Sequence, residues 1–253
     1  MITLAGPDLA ASFMLAFARV GTLVMLLPGL GERLVPGRLR LSLALGLTLV
    51  LFPLIRTLLP TGRDPAAMIG ILAGEVAVGL VLGLAARILM GALQTAGNIV
   101  AAQLGLSFAM TVDPTQGGGQ EAAVGNFITL LGVTLILAAD VHHLAIAAIR
   151  DSYALLPPIG IPDTGDAARL AIASVARSFS LALRISAPFI AFGLLFNLGL
   201  GILSRLMPQM QVFFLAMPLT ILAGLAILLA VLGLMMSAFV ADLGRFLTGF
   251  GVR

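Results

Sequence analysis

The sequence predicts an all-α, polytopic membrane protein of long, partly broken helices and hairpins. Three observations carry that reading. Hydrophobic residues fill 60% of the 253 positions and charged residues only 10%, against about 25% charged in an ordinary soluble domain. Such a chain cannot cover its own surface in water. The mean hydropathy is +1.15, and apolar runs recur near the length of about 20 residues at which a helix crosses a hydrocarbon core.

The first run covers residues 8–28, with Arg19 in its middle and Pro28 closing it. The second, 41–59, is uncharged from Leu41 to Ile55. The stretch from Ala66 to Met110 is too long for one crossing and divides near Arg87. Its pieces are 66–86, which holds Glu75, and 88–112, which carries Gln94, Asn98, Gln103 and Ser107. A fifth run spans about 122–149, a sixth 179–204 and a seventh 212–240. Residues 150–178 hold Arg150, Asp151, Asp163, Asp166, Arg169 and Arg177 among prolines and glycine, and they read as one polar loop. No internal repeat or low-complexity tract divides the chain, so one integral-membrane domain over 1–253 is expected. The N-terminus has neither a basic start nor a small-residue cleavage site, so the first run is expected to stay. If all seven runs cross, Arg33, Arg38, Arg40, Arg87, Arg150, Arg169, Arg177, Arg245 and Arg253 share one side, and Arg56, Arg63 and Arg205 the other. That asymmetry puts the C-terminus in the cytoplasm.

Composition also excludes chemistry. There is no cysteine, hence no disulfide framework, thiolate nucleophile or sulfur-ligated zinc. The pI near 10.9 reflects arginine; with 14 basic against 11 acidic residues and no basic run, nucleic acid is not an expected partner. No cofactor is expected. The two histidines stand together in Asp140-Val-His-His143. Adjacent helical residues point about 100° apart, which argues against a metal, whereas Asp140 and His143 are positioned to pair.

Charges inside apolar runs are costly in hydrocarbon. Arg19, Glu75, Arg87, Asp140 and Arg184 therefore either form a proton or ion relay, or pair with each other or with partner subunits. Gln94 and Asn98 lie one turn apart, as do Gln103 and Ser107, and face protein or a wet lumen rather than lipid. Gly70/Gly74 and Gly79/Gly83 have the spacing that lets membrane helices approach closely. Two stretches stand apart. From Gly105 to Gln120 the chain offers Leu106, Phe108, Met110 and Val112, a break at Asp113-Pro114, and then Gly117, Gly118 and Gly119. It reads as a plain interhelical turn or as a flexible apolar plug able to fill a pore. From Arg205 through Pro208 and Gln209 to Pro218, a polar patch between two prolines reads as a tight turn or as a broken helix wrapping around partner subunits.

At these residues the chain resembles the FliR/SctT family of type III secretion export-gate proteins. The similarity rests on Phe17-Ala-Arg-Val20 before Pro28-Gly29, the Arg33 to Arg40 turn, Gly74-Glu75, and Gly105-Leu-Ser-Phe-Ala109 with Asp113-Pro114. It continues through Asp140-Val-His-His143, Asp151-Ser-Tyr153, Ala187-Pro188, Asn197-Leu-Gly-Leu-Gly201, Arg205, Pro208 to Phe214 and Pro218. The order and spacing together are specific. The resemblance implies a non-enzymatic subunit of a closed helical gate in the bacterial inner membrane, at the flagellar basal body. It implies assembly with several FliP-like and FliQ-like subunits, beside FlhA-like and FlhB-like export components. Unfolded flagellar proteins would pass through, driven by energy supplied elsewhere. It also implies that residues from about 106 to 120 plug the pore, sealed by Phe108, Met110 and Val112 and hinged at Gly117 to Gly119. The resemblance further implies that much of the gate sits above the usual bilayer plane, with apolar segments packed on partner subunits instead of spanning lipid. A virulence-type gate subunit is the alternative. An ion-coupled transporter using Glu75 or Asp140 is a weaker one, because the repeated halves of such proteins are absent.

Overall fold

The computed structural model describes residues 6–32, 35–60, 65–106, 118–158, 163–207 and 212–249. Every regular element among them is helical: α1 (Gly6–Leu26), α2 (Gly37–Ile55), α3 (Pro65–Gln103), α4 (Gly118–Ala138), α5 (Val141–Leu155), α6 (Thr164–Leu206) and α7 (Val212–Thr248), with a single 3-10 turn at Arg56–Leu58. Five of these helices are long and apolar enough to cross a membrane, or six if α4 and α5 count together as one broken span.

Three expectations give way. The 66–112 stretch is not divided: α3 is one helix of 39 residues. A charge is no helix breaker, arginine is a good helix former, and Arg87 reaches the Gly31 carbonyl at 3.5 Å from within the helix. The seven-crossing count and the orientation drawn from it fall with that division. The 122–149 run, by contrast, breaks. Asp140 adopts φ 57° and ψ 16°, a left-handed conformation that aspartate tolerates better than most residues, and this ends α4 and starts α5. Finally, the stretch read as a polar loop is largely helix. Asp163 Oδ1 accepts the Gly165 N–H at 3.0 Å, as an N-cap does, and Asp166 pairs with Arg169 at 2.6 Å one turn on. Of the charges read as loop residues, Asp163, Asp166 and Arg169 build the start of α6, Arg150 and Asp151 lie in α5, and Arg177 lies inside α6.

The chain forms two compact units. One gathers residues 1–89, 136–176 and 243–253; the other gathers 90–135 and 177–242. In the first, α1 buries Leu15, Ala16, Val20, Leu23 and Val24, and α2 buries Ala44, Thr48, Leu51 and Ile55, each a stripe at the three-to-four spacing of one helix face. Phe13 and Phe52 meet edge to face at 5.5 Å. Contact between α1 and α3 is close because two residues of α3 lack side chains. A Cβ on Gly79 would come within 2.8 Å of Thr22 Cβ, and one on Gly83 within 2.7 Å of Leu26 Cβ. The Gly79/Gly83 pair is thus a packing seam, as its spacing suggests. At Gly70 a Cβ meets nothing within 4 Å among the described residues of this chain.

In the second unit the lower half of α3 contributes Leu93, Ala96, Val100 and Leu104, which are buried along with Ile128 of α4, Phe189 of α6 and Phe239 of α7. At the crossing of α3 and α4, a Cβ on Gly97 would strike the backbone of Gly125. Leu194, Leu195, Leu198 and Leu206 on α6 are 64–73% exposed. An apolar row of that size in contact with water is untenable, and lipid or protein must cover it.

Candidate functional site

Among the described residues, a fully buried polar group sits in the first unit, where α1, α3 and α5 meet. Arg19 donates from Nε to Glu75 Oε2 at 2.8 Å and from Nη2 to Glu75 Oε1 at 2.8 Å. Its third nitrogen, Nη1, donates to the Ser152 carbonyl at 3.0 Å. The guanidinium lies 4.2 Å from the centroid of the Tyr153 ring, and the Tyr153 hydroxyl donates to the Ala16 carbonyl at 3.3 Å. Arg19 is fully buried and Glu75 all but so. A bidentate fork, a carbonyl and an aromatic face thus satisfy a charge that would otherwise be prohibitive in this surrounding. Among the charged residues of the apolar runs, Arg19 and Glu75 are therefore partners. A carboxylate held on both oxygens by a buried guanidinium is poorly placed to exchange protons as a transporter's coupling group. The sequence pointed to Arg19 and Glu75 but not to Tyr153, although it is the one tyrosine of the chain and belongs to the motif Asp151-Ser-Tyr153.

The other candidates are scattered. Arg87 bonds to Gly31, as above. Asp140 and His143 approach to 3.7 Å with both side chains exposed, and Arg184 is exposed on α6. Gln94 donates to Asn98 Oδ1 at 3.3 Å, and its Oε1 lies 3.4 Å from the Thr129 hydroxyl, which donates to the Gly125 carbonyl at 2.7 Å, so Gln94 faces α4 while Asn98 is exposed. Thr129 was not legible as a partner from spacing alone. Gln103 packs against Gly193, where a Cβ would collide with its amide, and it borders a cavity with Gly105, Phe196, Asn197 and Met217. Arg205 stands in the last turn of α6. Pro218 lies within α7 rather than ending it, while Pro208 and Gln209 fall outside the described residues. A polar link that sequence reasoning did not pick out ties α6 to α7: Arg177 Nε donates to Asp242 Oδ2 at 2.8 Å.

Of the proposed plug, Leu106 is described; Phe108, Met110, Val112, Asp113, Pro114 and Gly117 lie outside the described residues. Gly118 and Gly119 begin α4. The structure describes the end of α3 that precedes this segment. Leu106 N–H bonds to the Ala101 carbonyl and Gly105 N–H to the Ala102 carbonyl, both at 3.1 Å. With Gly105 at φ +74°, this is the glycine-terminated Schellman cap, which stops a helix and turns the chain away.

The class of protein defined here is an integral membrane bundle whose long helices leave apolar faces uncovered and in which, among the described residues, a buried ion pair joins α1 to α3 and a hydrogen bond extends it to α5. The family described as bacterial export proteins, family 1, matches residues 10–246. The flagellar biosynthetic protein FliR of Caulobacter vibrioides is 44% identical over 215 residues, 85% of each chain, and that of Bacillus subtilis is 32% identical over 225 residues, 88% of this chain and 86% of its own. Surface presentation of antigens protein SpaR of Salmonella typhimurium is 28% identical over 225 residues, 88% of this chain and 83% of its own. The chain belongs to this family of bacterial export proteins. It is a component of a flagellar type III export apparatus, structural rather than enzymatic, and it works in a complex with other export components.

Proposed function

We propose that this chain is a wall subunit of an export gate of the FliP/FliQ/FliR type in the bacterial inner membrane, at the flagellar basal body. FliP-like and FliQ-like subunits cover its exposed apolar faces, FlhA-like and FlhB-like components adjoin it, and unfolded flagellar proteins pass through the assembly. Residues from about 106 to 120 seal the closed pore, with Phe108, Met110 and Val112 excluding water by apolar contact, and they yield when a polypeptide enters. Weak dispersion contacts suit a seal that must block ions and still give way.

The observation that carries the reading is the cap at Gly105. It ends a single 39-residue helix immediately before the apolar segment, so that segment is delivered from a fixed point. Deleting residues 110–119 is expected to raise ion leakage of cells or liposomes carrying the gate. Unchanged conductance would remove the plug assignment, and failure to co-purify with FliP-like and FliQ-like subunits would remove the assembly. The likeness to SpaR supports a virulence-type gate as the second reading. Restoring motility to a flagellar mutant that lacks its own subunit favours the first reading; restoring only injectisome secretion favours the second.

A further inference from the structure

The break between α4 and α5 gathers both histidines and one carboxylate. One ligand atom each from Asp140, His142 and His143 lies within 4.8 Å of the other two. The imidazole centroids of His142 and His143 are 4.2 Å apart with the rings tilted by 36°, and Asp140 Oδ1 is 3.7 Å from His143 Nδ1. The objection drawn from the sequence assumed side chains radiating from an ideal helix. Here the two rings instead lie side by side at the first turn of α5, and the left-handed Asp140 brings its carboxylate round to them. His142 Nδ1 is buried and has no hydrogen-bond partner among the described residues, an expense of the kind that buried polar atoms normally avoid.

We propose that Asp140, His142 and His143 bind a divalent transition-metal ion of the zinc, nickel or cobalt class. Two imidazoles and one carboxylate suit these ions and not magnesium or calcium, which prefer all-oxygen shells. Bonds of about 2.0–2.1 Å put neighbouring ligand atoms of a tetrahedral site roughly 3.4 Å apart. The present spacing therefore closes by side-chain rotation, with no movement of the helices. All three ligands come from a four-residue stretch, so the site needs no distant element to form it. Three protein ligands leave a further position for water or a neighbouring subunit's side chain. An ion bound across residues 140, 142 and 143 ties the left-handed residue to the turn that follows it, and so fixes the break between two helices that would otherwise be hinged there.

The test uses the full chain, purified in detergent with a tag free of histidine. These are its only histidines and it has no cysteine, so imidazole ligation of a bound ion, as distinct from binding by the terminal amine or backbone amides, reports on this site without any substitution. Copper(II) at one equivalent should give an electron paramagnetic resonance spectrum with hyperfine coupling to imidazole nitrogen. Zinc added to the metal-free chain should raise the unfolding temperature, and in large excess it should displace copper, while magnesium should do neither. His142→Gln with His143→Gln should abolish both effects, and Asp140→Asn should weaken zinc binding by about tenfold or more. A wild-type copper spectrum without imidazole coupling overturns the proposal, whatever the variants do. So does a zinc-induced shift that survives in a double variant whose elution profile matches wild type.

Discussion

Arg19 of α1 grips both carboxylate oxygens of Glu75 of α3, at 2.8 Å each, in a space from which solvent is excluded. Two helices distant in sequence are thereby fixed in rotation as well as in distance, because a fork-to-fork pair tolerates little misalignment. The Ser152 carbonyl extends the link to α5.

Removing one member of this pair is worse than removing both. Arg19→Leu or Glu75→Leu leaves a bare charge in the interior, with an expected loss of about 3–5 kcal/mol, whereas the double substitution to leucine exchanges an ion pair for apolar packing and approaches neutrality. Thermal unfolding in detergent, compared across the four corners of the cycle, measures the difference. Additive single effects would show that the two residues do not act as a unit.

Tyr153 contributes through its ring more than through its hydroxyl. Tyr153→Phe keeps the face beneath Arg19 and loses only the bond to Ala16, worth about 0.5–1.5 kcal/mol. Tyr153→Leu also removes the cation–π contact and leaves part of the ring's volume empty, for a larger loss. The order wild type, Phe, Leu in unfolding temperature is the expected result, and equal Phe and Leu variants would contradict it.

Gly105 should resist substitution although a Cβ there meets nothing within 4 Å. The obstacle is its positive φ, which costs an alanine roughly 1–2 kcal/mol. Gly105→Ala is expected to loosen the end of α3 and to raise background ion leakage of the assembled gate. Gly105→Asn, which accepts this conformation more readily, should be milder in the same assay.

Two glycines on one helix should answer oppositely to the same change. Gly97→Ala drives a methyl into the backbone of Gly125 and is expected to disturb the crossing of α3 and α4, seen as lost monodisperse protein on size exclusion. Gly91, six residues earlier, has open space around it. Gly91→Ala should be neutral, or stabilising by up to about 1 kcal/mol through helix propensity. Equal tolerance at both sites would mean that α3 and α4 do not meet through Gly97.

What could be read from the amino acids alone follows from which forces are local. Hydrophobic excess and run length gave away the helical membrane class, and lone charges in apolar runs marked Arg19 and Glu75 as residues needing company. Their choice of each other, and of Tyr153, is a tertiary fact that spacing does not encode. Two of the three differences in segmentation share one cause, namely that a charge within or beside an apolar run does not mark a helix boundary. Arg87 sits inside a continuous helix because arginine's long stem carries its head to a polar partner, and the charges from Asp163 to Arg169 build a helix start. The true interruption, at Asp140, depends on a single backbone conformation within an otherwise helix-compatible sequence.

One further consequence lies in the dimensions of α3. At 1.5 Å per residue, its 39 residues rise about 58 Å, nearly double the oily thickness of a bilayer, about 30 Å. No modest tilt absorbs such an excess. Part of this greasy rod must therefore stand beyond the reach of acyl tails and be covered by protein, a cover that this chain's own helices already supply over more than half of its apolar window.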